Sequence, residues 1–166
     1  MDELLDLVNE KDEVIGEVEK DAANSDPKLI HREISVYVFD DQNRLLMGQR
    51  SLKKKVYPGV WGESAAGHVD KGEFPEAAAH RELTEEMGFD TKLTFLKKSL
   101  TKFSNETHFT YYYIGKYNSE EINFQREEIE QVRFTKREEF DGLYTNPDKF
   151  IQEGIRIVKE IWDEKK

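Results

Sequence analysis

The 166-residue chain contains no cysteine. That excludes disulfides, thiolate metal sites and cysteine nucleophiles together, and leaves the redox compartment open. Long apolar runs are also missing: none approaches the roughly 20 residues needed to span a bilayer. The first residues, MDELLDLVNEKDE, are acidic and lack the basic start and apolar core of a signal peptide. The expectation is a soluble, cytoplasmic protein with no membrane partner. Positive charge is short as well, with 25 Lys and Arg against 35 Asp and Glu and a net charge of -10. Duplex DNA needs a basic face, so DNA is not an expected partner. A small phosphorylated ligand stays open, because a bound cation reverses the local field.

Core material is present: ten Phe, seven Tyr and two Trp stand in a chain that is 37% hydrophobic. The length fits one domain, 1–166, without metals or disulfides as staples. Residues 5–19 read as a hairpin turning at Glu10-Lys11-Asp12, and AANSDPK (22–28) as a linker, so 1–28 is a hairpin extension packed on the body. HREISVYVF (31–39) is a strand with Ile34, Val36 and Val38 on one face and Ser35, Tyr37 and Phe39 on the other, so both faces are expected to be covered. Strands follow at 44–50, 59–67, 92–100, 108–117 and 129–134. Thr135-Lys136-Arg137-Glu138 has capping-box spacing for a short helix. A last helix from Asn146-Pro147 carries Phe150, Ile151, Ile155, Val158, Ile161 and Trp162 at helical period, a core stripe. Interleaved strands and helices point to α/β or α+β with a mixed sheet.

One segment, GHVDKGEFPEAAAHRELTEEMGF (67–89), holds five glutamates. Pro75 opens a helix and Gly88 closes it, with Ala79, Leu83 and Met87 as its apolar stripe. Glu82, Glu85 and Glu86 share one turn of that helix. Like charges so placed repel, and a hard divalent cation is the candidate that offsets them.

Read as Gly67, Glu73 and Arg81-Glu82-Leu83-Thr84-Glu85-Glu86-Met87-Gly88-Phe89, the segment resembles the signature of the Nudix hydrolases. Seven fixed positions at roughly 7% usage each match by chance about once in 10⁸ starts. The resemblance implies an α/β/α sandwich with a mixed sheet. It also implies hydrolysis of a small diphosphate, such as a nucleoside diphosphate derivative, dependent on Mg²⁺ or on Mn²⁺ in its place. It makes Glu82, Glu85 and Glu86 the metal carboxylates, joined by the Gly67 carbonyl. Glu73 pairs with Arg81 to brace the loop, and Glu82 is the first choice for the base that activates water.

The flanking residues resemble isopentenyl-diphosphate isomerase, a relative of the hydrolases. They are Leu29-Ile30-His31, Gln49-Arg50-Ser51, Lys53-Lys54, Tyr57-Pro58-Gly59-Val60-Trp61 and Gly67-His68. In that isomerase a catalytic cysteine precedes the Gly-His pair; here the position is Ala66. The box is intact here and degenerate there, so a hydrolase of the isomerase-like branch is expected. The alternatives are the isomerase itself and a catalytically silent nucleotide-binding module. His31 and His68 match isomerase metal ligands but equally suit ordinary cleft residues, a third histidine position falling near Asn24. His80 and His108 carry no motif. Arg50 and Lys54 are candidates for the diphosphate, and Tyr57 and Trp61 for stacking or core packing. Glu128, with Glu127 and Glu106, is a candidate for an extra glutamate outside the box. The protein is expected to be a monomer or homodimer, with the hairpin and an exposed Tyr-rich strand available to a dimer.

Overall fold

The structure is a computed structural model that describes residues 3–143 and 149–164. Asn146 and Pro147 lie outside the described residues, as do the side chains of Phe150 and Ile151.

A hairpin of β1 (Leu4–Val8) and β2 (Val14–Glu19) comes first, and α1 (Lys20–Ala23), a single turn, occupies part of the expected linker. The main sheet is built from β3 (His31–Phe39), β4 (Leu45–Arg50), β5 (Trp61–Gly62), β6 (Ala65–His68), β7 (Leu93–Lys102), β8 (Thr107–Lys116) and β9 (Ile129–Thr135). Helix α2 (Pro75–Met87) covers one face; α3 (Arg137–Leu143) and α4 (Lys149–Glu164) cover the other. The strand order is β5-β4-β3-β8-β7, with β6 added on β3 and β9 on β4. Only the β3–β8 pairing is parallel, so the sheet is mixed.

Alternation along β3 builds both cores. Ile34, Val36 and Val38 pack with Leu46, Ala78, Ala79, Leu83 and Met87 beneath α2. Tyr37 and Phe39 pack with Met47, Phe140, Ile157, Val158 and Trp162 beneath α3 and α4. Burying each large apolar side chain contributes on the order of 1.5–3 kcal/mol.

The sheet splits where the site will form. β3 pairs with β4 only at Phe39↔Leu45, and then takes β6 on that side from Val36↔Ala65 to Glu33↔His68. Buried Ser64 bridges the split: its Oγ accepts from the Val38 N–H at 2.9 Å and donates to the Leu46 carbonyl at 2.7 Å. The expected 59–67 strand is therefore two short strands joined through Glu63 and Ser64.

Two further expectations change. The Tyr-rich strand β8 lies between β3 and β7, with Tyr112 and Tyr113 buried, so it is not an exposed surface. The capping box shifts by one residue: Thr135 ends β9, and the Glu139 carboxylate reaches back to the Lys136 N–H at 3.0 Å. The sheet's last hydrogen-bonded pair, Leu45↔Thr135, holds Thr135 in the strand.

The hairpin is held to the sheet through Asp12. Its φ of 63° is left-handed, a region Asp tolerates in turns. Asp12 Oδ1 accepts from Arg32 Nε at 2.6 Å, and Oδ2 from Lys98 Nζ at 2.9 Å and from the Tyr111 hydroxyl. Burial raises the Asp12 carboxyl, but these donors together bring it below its ordinary value. Asp12→Ala removes the carboxylate that accepts from Arg32, Lys98 and Tyr111, and leaves the partly buried Arg32 only the backbone carbonyl of residue 12 and Asp6 at 3.8 Å. It is expected to cost about 3 kcal/mol in urea unfolding, and Asp12→Asn, which keeps the turn, less.

Candidate functional site

Helix α2 is placed by its ends and its stripe. Pro75 stands at the first turn, Gly88 at the C-cap takes a φ of 76°, and Ala78, Ala79, Leu83 and Met87 are buried. With that face fixed against the sheet, Glu82 and Glu86 turn toward β6 and the neighbouring loops, and Glu85 stays at the surface.

Arg81 organises the loop between β6 and α2. Its Nε donates to Glu73 Oε1 and its Nη2 to Glu73 Oε2, both at 2.9 Å, a bidentate pair. Nη2 also donates to the His68 carbonyl at 3.0 Å, and Nη1 to Glu82 Oε1 at 2.7 Å. Glu85 Oε2 lies 3.5 Å from Nη1. Glu73 Oε2 in turn accepts from the Asp70 N–H at 3.0 Å. Burial raises the Glu73 carboxyl, but Arg81 brings it below its ordinary value.

Gly67 stands where nothing larger fits: a Cβ there would lie 2.3 Å from the Glu82 carboxylate. Burial raises Glu82, against the pull of Arg81. Glu86 is pushed well above the ordinary carboxylate value by burial, then by Glu82, Glu63 and Glu128, while the Ala66 N–H donates to it. Buried carboxylates that raise one another in this way form the donor set a hard divalent cation relieves, and the absence of a side chain at Gly67 lets the Glu82 carboxylate lie against the backbone of β6.

The other expected residues lie around this group. Lys54 forms an ion pair with Glu128, whose charge reaches Glu86. Arg50 Nε donates to the Val56 carbonyl at 3.0 Å and tethers the lysine loop. Lys53, Lys55 and Glu127 are exposed. Trp61 packs against the core beneath α4, and His80 pairs with Asp90 at 2.6 Å on the surface.

A second cluster lies on the sheet face opposite α2. His31 and Glu33 come from β3, His108 from β8, and Glu106 from the turn before it; their ligand atoms all lie within 4.8 Å of one another. The parallel register places His31 beside His108, and the antiparallel one places Glu33 opposite His68. His31 Nε2 is 3.5 Å from Glu33 Oε1 and 3.8 Å from Glu106 Oε2. His68 stacks on His31 with ring centroids 5.3 Å apart, and its Nε2 lies 3.1 Å from Asn24 Oδ1 and 3.3 Å from Glu33 Oε1.

Burial would raise Glu33, but His108, His31 and His68 hold its carboxyl at about 2. His31 is fully buried and its Nε2 makes no hydrogen bond. Mixed imidazole and carboxylate donors suit a borderline cation such as Mn²⁺ or Zn²⁺, and the orphaned nitrogen fits such an ion.

His108 is thus part of a cluster, although it carries no motif of its own, and Glu33 was missed altogether. Both had a signal: His-x-Glu at 31–33 and Glu-x-His at 106–108 are i, i+2 pairs, and i, i+2 residues of a strand share one face.

A family model of the NUDIX domain matches residues 29–154. An isopentenyl-diphosphate delta-isomerase of Serratia proteamaculans is 33% identical over 97% of this chain and 92% of its own length. A protein of the same name from Streptomyces avermitilis is 48% identical over 90 residues, 54% of this chain; the match spans about half of that relative, 46%. Among solved structures, a Deinococcus radiodurans protein superposes with a TM-score of 0.72 at 26% identity, covering 83% of this chain and 86% of that one.

The raised Glu86 fixes a pH dependence. Its folded value lies above the ordinary 4.5, so between the two the folded chain binds more protons, and this contribution to stability falls as pH rises. His108, raised from 6.5 by Glu33 and Glu106 against the effect of burial, acts in the same direction; His68, lowered by burial, acts against it. Comparison with Glu86→Gln isolates the Glu86 part. In chelator-treated protein at about pH 8 the variant is expected to be more stable by on the order of 1–3 kcal/mol, a gap that closes toward about pH 5. If a divalent cation binds at these carboxylates, the rise in melting temperature it gives the wild type is expected to shrink in the variant.

Proposed function

Because this chain belongs to the NUDIX domain family and its glutamate box is intact and braced, we propose that it is a Mg²⁺-dependent hydrolase of a small diphosphate joined to another group. The observation that carries this reading is the assembly of Glu82, Glu86 and the Gly67 backbone, held together by the Arg81–Glu73 pair.

Glu82 and Glu86, with the Gly67 carbonyl and the nearby Glu85, would hold the cation, which would supply charge neutralisation for the diphosphate and acidify water. Arg81 fixes Glu82 through Oε1 and leaves Oε2 to accept the proton of the attacking water. The water oxygen bonds to phosphorus, the bridging P–O bond breaks, and its electron pair leaves on the departing phosphate. Arg50 at the end of β4 and Lys54 on the loop that follows position phosphate oxygens. The histidine–carboxylate cluster on the opposite sheet face would hold a second, softer cation.

Isomerisation of isopentenyl diphosphate is the second reading. His31 and His68, stacked at the cluster of His31, Glu33, Glu106 and His108, and the Serratia relative favour it. Ala66 stands against it, because a methyl group transfers no proton. A silent nucleotide-binding module is the third, and it predicts binding without turnover.

Purified protein with Mg²⁺ is expected to release product from at least one member of a panel of nucleotide, sugar and isoprenoid diphosphates. Glu86→Gln is expected to lower kcat by about 10²–10³-fold, several kcal/mol of lost charge stabilisation. No release from any member, or a variant equal to wild type, overturns the reading. Appearance of the dimethylallyl isomer by NMR replaces it with the second.

A further inference from the structure

The N-terminal hairpin grips the loop from which Glu73 reaches Arg81. Residues 70–73 form a β-turn, closed by the Glu73 N–H donating to the Asp70 carbonyl at 3.0 Å. Gly72 stands third in the turn with a φ of 75°, the type II geometry, and its N–H points out of the turn's own hydrogen bond. The Asp70 N–H donates to Glu73 Oε2. The two remaining amides of the turn are taken by β1. The Lys71 N–H donates to the Leu4 carbonyl at 2.9 Å, and the Gly72 N–H to Asp6 Oδ1 and Oδ2 at 3.2 and 3.3 Å. Leu5, between these two, makes an antiparallel bridge to Asp70, and the Lys71 ammonium pairs with Glu17 of β2.

Little else fixes this loop. Between buried Val69 and helix α2 no side chain enters a core: Asp70, Lys71 and Gly72 are exposed, and Phe74 is 79% exposed. Polar contacts therefore decide where Glu73 stands. Arg81 holds the loop from α2, and Asp6 holds it from β1. Asp6 is a buried acid that the hydrolysis does not use. Its nearest cation, Arg32 Nη1, is 3.8 Å away, beyond hydrogen-bond distance. A carboxylate that accepts from a backbone N–H makes a charge-assisted bond, roughly twice as strong as a neutral one.

We propose that Asp6 is a positioning residue of the glutamate box: through the Gly72 N–H it holds the turn in which Glu73 meets Arg81. The hairpin is then part of the support of the site rather than an appendage. That the braced Glu82 and Glu86 serve a cation rests on the hydrolase reading; the position of Glu73 does not.

The test reads the brace itself, as exchange of the Arg81 Nε–H with solvent, by nitrogen-15 NMR of the chelator-treated, full-length protein. Asp6→Ala is expected to speed this exchange at least about tenfold. Gly72→Ala attacks the same contact from the loop side and is expected to do likewise. Its methyl group meets nothing within 4 Å, so it penalises only the φ of 75°. Asp6→Asn keeps an oxygen acceptor for Gly72 but drops the charge near Arg32, and is expected to stay within about threefold of wild type. Asp12→Asn, at the hairpin's other anchor, is expected to stay within about twofold. Exchange unchanged in Asp6→Ala overturns the proposal. Asp6→Asn as fast as Asp6→Ala overturns it in favour of the Arg32 charge, and equal acceleration in Asp12→Asn overturns it in favour of hairpin docking in general. If Asp6→Ala does not fold, Gly72→Ala takes its place in each comparison. On the hydrolase reading, Asp6→Ala and Gly72→Ala also weaken Mg²⁺ binding in calorimetry by about three- to tenfold, since Asp6 lies one step beyond the groups that orient the ligands directly. A wild type that binds no Mg²⁺ refutes that reading, and the Arg81 signal still decides the role of Asp6.

Discussion

The Arg81 guanidinium is the constraint on which the site depends. Three carboxylates crowded on one helical turn repel, and a fourth from the preceding loop adds to the charge. Arg81 meets this with its planar fork, taking both oxygens of Glu73, one of Glu82 and the His68 carbonyl. A lysine could supply the charge but not four directed donors from one plane. The consequence extends past the contacts themselves. The end of β6, the loop carrying Glu73 and the middle of α2 become one unit, and the distance from Gly67 to Glu82 is set by it.

The second feature that shapes the site is the parting of β3 and β4. In an unbroken sheet β4 would run beside β3 along its whole length and bury that edge. Instead Ser64 spans the gap with two hydrogen bonds, and β6 enters against β3. Four residues long, β6 serves both sides of the sheet. Gly67 faces Glu82 of α2, and Ala66 and His68 face the opposite way with Ser35 and Glu33. Glu63, at the head of this strand, lies within electrostatic reach of both groups of acids.

The sequence was most readable where chemistry is local. Pro75 and Gly88 bound α2, its stripe gives its buried face, and the spacing from Gly67 to Phe89 carries the box. The two-faced pattern of β3 and the stripe of the last helix likewise appear as two cores. What was not readable depends on which strands meet. His31 and His108 are brought side by side by a parallel pairing between strands far apart in the chain; the i, i+2 pairs show which residues accompany each histidine, but not that the two strands meet. Thr135 shows the same limit at short range. Its side chain suits a helix cap, but the ladder to Leu45 keeps it in the strand, and the cap moves to the next residue. Tertiary pairing overrode local preference.

On the proposed hydrolase reading, the charge balance of the site makes a cation the partner that a phosphate ligand would need. In the sequence, Arg50 and the three lysines after it look like a counterweight to the acidic helix. In the structure Lys54 is engaged by Glu128, and Arg50 is tied to the Val56 carbonyl and lies near Glu63. Arg81, Lys54 and Arg50 are each engaged by a protein acceptor, so a diphosphate approaching the bare protein meets the carboxylates of Glu82 and Glu86. Divalent cations reverse that sign locally. On the proposed reading they would let an acidic chain of net charge -10 take an anionic substrate, with Lys54 and Arg50 as orienting groups rather than the source of affinity.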